Sequence, residues 1–74
     1  MTGGEARALH SALVAVGVAS GRIEDATARQ RETLAARLRL EAAAPPRLAL
    51  DSEDGGTAYV ARRHRIADRI EAAT

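Results

Sequence analysis

Residues Arg47–Ala61 read "RLALDSEDGGTAYVA", and how this stretch folds decides the fold class of the chain. Leu48 and Leu50 alternate with Ala49, and a second short run, "TAYVA", follows at Thr57–Ala61. Between them lie Ser52–Gly56, five residues that include Gly55 and Gly56. Two short runs around a glycine-containing loop predict a β-hairpin. A lone two-stranded hairpin is barely stable in water. It must therefore pack on helices or join the sheet of another chain.

Upstream, "AAAPP" (Ala42–Pro46) is the sharpest boundary in the sequence. Pro45 disfavours helical angles at Ala44, and Pro46 does the same to Pro45. Before it, a long helix is expected over residues 23–43. Its inner stripe is Ile23, Thr27, Gln30, Leu34 and Leu38. Its outer face offers Asp25–Arg29, Arg29–Glu32 and Arg37–Glu41 at helical pair spacing, each pair adding a few tenths of a kcal/mol. The stripe is narrow, closer to a two-helix seam than to a globular core. Gln30 either sets register within it or sits at its rim.

A first helix is expected over residues 4–19, with Leu9, Leu13 and Val16 on one face. Glu5 suits the positive end of its dipole. Val14 and Val18 share a different face, so this helix expects cover on two sides. A strand over "VAVGV" is the competing reading. Gly21, within "SGR" (Ser20–Arg22), supplies the left-handed residue that ends a helix.

Downstream, a C-terminal helix is expected to start between Tyr59 and Arg62 and to run to Ala73. Tyr59, Ile66, Ile70 and Ala73 form its apolar stripe. Arg62, Arg65 and Arg69 line one flank, and His64, Asp68 and Glu71 the other. Arg63 lies beside the apolar face, where its stem can pack while the guanidinium reaches water.

A chain of 74 residues allows one domain, with residues 1–44 and 45–74 as parts of one compact unit. Its large aliphatics are few: seven Leu, four Val and three Ile, with Tyr59 the only aromatic residue. Alanine supplies most of the apolar fraction and little buried area. With no cysteine, disulfides and thiolate metal sites are excluded. So thin a core calls for long helices, self-association or a partner. Net charge is +1, which argues against wholesale electrostatic binding to DNA or membranes. All 11 basic residues are arginine, a group that grips phosphate and carboxylate bidentately. The longest apolar run, Ala12–Ala19, is far shorter than the roughly 20 residues that span a bilayer. No basic segment precedes that run, so no signal peptide is expected.

Helices followed by a hairpin with the loop "DSEDGG" and a further helix resemble the wing of winged-helix regulators of the MarR type, over Leu48–Ala61. The resemblance implies a DNA-facing loop. Here, however, that loop presents Asp51, Glu53 and Asp54, and the second helix lacks helix-turn-helix spacing. The same loop places Asp51, Glu53 and Gly56 at positions one, three and six of a calcium loop. Gly55 at position five and Arg62 at twelve leave the ligand set incomplete. His10 and Ser11 are adjacent and diverge on a helix, and no phosphate-binding glycine loop is present. The chain is therefore read as non-enzymatic, with no cofactor and no metal.

The expectation is a mainly α protein: a helical hairpin, a short β-hairpin and a C-terminal amphipathic helix, a small α+β unit. Its expected role is protein–protein interaction, as a structural, adaptor or accessory subunit. It would self-associate or dock on a larger assembly such as a virion, a multi-subunit enzyme or a secretion machine. Val14, Val18, Tyr59, Ile66 and Ile70 are the expected interface. Arg62, Arg65 and Arg69 are the expected contacts for phosphate or an acidic partner, and they carry the alternative reading of a small nucleic-acid-associated regulator. The expected location is the cytoplasm or an assembled particle.

Overall fold

The computed structural model describes residues 3–73 and is helical wherever it is regular. Helix α1 spans Gly3–Ala15, α2 Ala28–Ala43, the one-turn α3 Arg47–Leu50 and α4 Thr57–Ala72. A single 3-10 turn, Ile23–Asp25, precedes α2. No strand occurs among the described residues, so the expected β-hairpin, and with it the wing-like resemblance, is overturned.

The physical reason lies in "DSEDGG". Asp54 acts as a cap. Its carboxylate accepts from the Gly56 amide at 3.0 Å and the Ala58 amide at 2.9 Å, and the Ser52 hydroxyl donates to it at 2.7 Å. Satisfying the first free N–H groups in this way starts a helix at Thr57. Gly55 (φ 65°) and Gly56 (φ 94°) take the left-handed angles this approach requires. On the other side, the Pro46 carbonyl accepts from Ala49 and Leu50, and the Arg47 carbonyl from Asp51. Leu48 and Leu50 thus sit on a helical turn, and their alternation carries no strand meaning.

α1 stops four residues earlier than its apolar run. Gly17 adopts φ 97°. The Val18 amide donates to the Leu13 carbonyl and the Gly17 amide to the Val14 carbonyl, both at 3.0 Å. This is the Schellman termination, in which the residue after the left-handed glycine folds back onto the helix. Val18 follows that path into the core beside Leu13. Gly21 is left-handed too (φ 68°), and a Cβ there would fall 2.2 Å from the His10 ring.

α2 begins at a reciprocal cap rather than at Ile23. The Thr27 hydroxyl accepts from the Gln30 amide at 3.1 Å, and the Gln30 side chain accepts from the Thr27 amide at 2.8 Å. Gln30 is therefore a capping residue, not a register-setter. Pro45 ends α2 at its expected place, with the Ala44 amide bonded back to Leu40.

The principal pair is α2 against α4, and α1 covers one side of it. Leu9, Leu13, Val18, Ala26, Leu34, Ala35, Leu38, Ile66, Ala67 and Ile70 form one core. Ala35 of α2 and Ala67 of α4 are both buried in this core, where their small side chains add little bulk between the helices.

Candidate functional site

The five residues expected at an interface separate in the structure. Val18, Ile66 and Ile70 are buried in this chain's own core, where the Ile66/Ile70 face completes the α2–α4 contact. Val14 remains 45% exposed on the outer side of α1, while Val18 is 4% exposed. Tyr59 is half-buried, and the Arg63 guanidinium stacks 4.0 Å from its ring centre. That contact is a cation–π arrangement.

Leucines that a thin core would be expected to use lie instead in water. Leu40 is 71% exposed on the outer face of α2, and Leu48 is 87% exposed on α3. Leu50 is exposed beside it. Around Leu40, Arg29, Glu32, Thr33, Ala36 and Arg37 border a shallow open trough along α2. The pairs expected on this face do not form. Arg29, Glu32, Arg37 and Glu41 have no ion-pair partner among the described residues, and Asp25 instead accepts from the Ser20 hydroxyl at 2.6 Å.

Arg22–Glu24 and Arg47–Asp51 pair locally, and two further sets of paired charges hold helices together. Arg39 of α2 reaches three residues on one face of α4. It donates to Asp68 at 2.7 Å, to Glu71, and through a terminal nitrogen to His64 Nδ1 at 3.0 Å. The hydrogen bonds to Asp68 and then Glu71 raise the Arg39 pKa. Arg65 donates twice to one Glu5 oxygen, at 3.1 and 2.6 Å, and ties α4 to the start of α1. That hydrogen bond is the main cause holding the Glu5 pKa below its ordinary value. Of the expected arginine ridge, Arg65 is thus occupied, and Arg62 and Arg69 stand exposed on the same flank.

Sequence reasoning missed Arg39, Asp54 and Leu40. The first two had legible signals. His64, Asp68 and Glu71 stand at i, i+4 and i+7, an acceptor ladder that calls for a cation on a facing helix. Asp54, three residues before the helical run that starts at Thr57, is a side chain able to cap its first amides. Leu40 had none, because its exposure depends on where α4 packs.

Among the described residues no group of three or more His, Asp or Glu side chains is placed to hold a metal ion. In the Asp51–Gly56 loop, Asp54 is engaged in capping and Asp51 faces Arg47 at 4.0 Å. No described helix is long and apolar enough to cross a membrane. No family model, curated protein or solved structure matches the chain.

Proposed function

We propose that this chain is a small non-enzymatic interaction module, a structural, adaptor or accessory subunit that works by self-association or by docking on a larger assembly. One observation carries the reading: three of its seven leucines, Leu40, Leu48 and Leu50, face water. Scattered exposed apolar residues are ordinary. In a chain with so few large side chains, leaving three leucines outside sacrifices core that a 74-residue unit needs. Burial of these leucines against another surface recovers that loss. A cytoplasmic location, or a place within an assembled particle, fits the reading and belongs to the same proposal.

Solution mass by light scattering after size exclusion, at low and at high salt, tests self-association. A defined oligomer that survives high salt supports it, because apolar burial is not screened. A folded monomer at every concentration rejects it and leaves docking on a different protein.

The arginine flank supports a weaker second reading, contact with nucleic acid. Arg62 and Arg69 are exposed; Arg62 lies close enough to Glu5 to help hold its carboxylate charged, and Arg69 has no ion-pair partner among the described residues. If phosphate contact is their role, Arg62→Ala and Arg69→Ala each weaken DNA binding irrespective of sequence and lower its salt slope by about one. Absence of any mobility shift at low salt removes the reading.

A further inference from the structure

We infer that the partner of the exposed α2 face is a second copy of this chain, with the two α2 helices side by side, parallel and in register. The inference rests on the self-association reading above and specifies its surface.

The outer residues of α2 follow a heptad. Thr33 and Leu40 take the a positions, Ala36 and Ala43 the d positions, and all four are exposed. Glu32 and Arg37 then fall at g and at the following e, on opposite flanks of this strip. In a parallel pair, g of one helix meets e five residues further along its partner. Glu32 of each copy therefore meets Arg37 of the other, twice by symmetry. Both residues lack an ion-pair partner among the described residues, which sets them apart from Arg39, already engaged with α4. Arg29, at the preceding d position, sits in the first turn of α2, where a long side chain can lean out to water. Small residues at 33, 36 and 43 leave the trough that lets two helix backbones approach closely.

The size of the strip sets the strength. α2 has 16 residues, so it offers a strip about 24 Å long and 10 Å wide. Two such strips present about 480 Å² between them, below the roughly 1,200 Å² at which specific stable interfaces begin. The dimer is accordingly weak and reversible, visible at high micromolar concentration rather than at nanomolar.

Sedimentation equilibrium of the full chain from about 20 µM to 1 mM tests this, with circular dichroism to confirm folding of each variant. The wild type is expected to dimerise, and Leu40→Glu to abolish the dimer. Glu32→Arg and Arg37→Glu, made singly, set like charges across the seam and weaken association about tenfold. The double variant Glu32→Arg/Arg37→Glu restores it, because both pairs reform with signs exchanged. A merely structural effect would not be rescued. Nor would an antiparallel pairing, in which these flanks do not meet. An oligomer indifferent to these variants, or one without rescue, overturns the α2 seam and leaves self-association standing. A wild-type monomer at 1 mM overturns both.

Discussion

Val14 and Val18 are four residues apart, and a continuous helix would place them on one face with one fate. The structure separates them through the left-handed turn at Gly17, and the separation has a measurable size. Val18→Ala removes two methyl groups from a site 4% exposed. At about 0.8 kcal/mol per buried carbon, with a further cavity contribution, the expected loss is about 2 kcal/mol. Val14 is 45% exposed and lies inside α1. Half the transfer loss applies, about 0.8 kcal/mol, and the better helix propensity of alanine returns about 0.5 kcal/mol. Val14→Ala should therefore be nearly neutral. In urea, with a slope near 1 kcal/mol/M for so small a chain, the Val18 variant loses about 2 M in midpoint and the Val14 variant less than about 0.5 M. Denaturation followed at 222 nm, repeated at several protein concentrations, reads both. Equal losses would refute the turn at Gly17 and restore an α1 running through Val18. A Val14 loss that grows with protein concentration would place that residue in an interface instead.

Three further outcomes follow from the same geometry. Thr27→Ala removes half of the reciprocal cap and should cost about 1 kcal/mol in the same urea assay, while Thr33→Ala on the exposed face costs little at low concentration. Gly21→Ala meets a left-handed angle and the His10 ring, and a loss of about 1–2 kcal/mol is expected. Stability should also depend on acid pH through Asp54 and Glu5, whose pKa values lie below their ordinary ones, through the Ser52 hydroxyl and backbone amides at Asp54 and through Arg65 at Glu5. A lowered native pKa means the unfolded chain binds the proton first. The contribution is complete above the ordinary carboxyl range near pH 4 and disappears as pH falls through the lowered native values. Asp54→Ala should therefore reduce the urea midpoint at pH 7 and make no difference at the acid limit, and a gap that persists there contradicts the assignment.

Much of the helical frame was legible. Pro45 set the end of α2, Leu9 and Leu13 marked the inner face of α1, and Leu34 with Leu38 marked that of α2. The misreading at Arg47–Ala61 came from treating Leu48-Ala49-Leu50 as an alternating pattern. Three residues cannot distinguish period 2 from a single helical turn. The cap at Asp54 was the better signal, because it states where N–H groups are satisfied rather than which side chains are apolar. The same holds at Gly17-Val18, where a glycine followed by an apolar residue spells a Schellman end. For the candidate site, the arginine flank was legible as a face but not as a set of partners.

By itself the sequence determined that this chain is small, without cysteine, and mainly helical, with a C-terminal amphipathic helix whose two flanks carry opposite character. Those are local properties, set by residue type and by the 3.6-residue period. Only the tertiary structure decided which apolar face is core and which is surface. Ile66 and Ile70 went inward because α2 presents Leu34, Ala35 and Leu38 to α4, and Leu40 stayed outside because it lies on the far side of that contact. Burial is a property of pairs of surfaces, so residues with equal hydrophobicity acquire different roles only once the helices have chosen their neighbours.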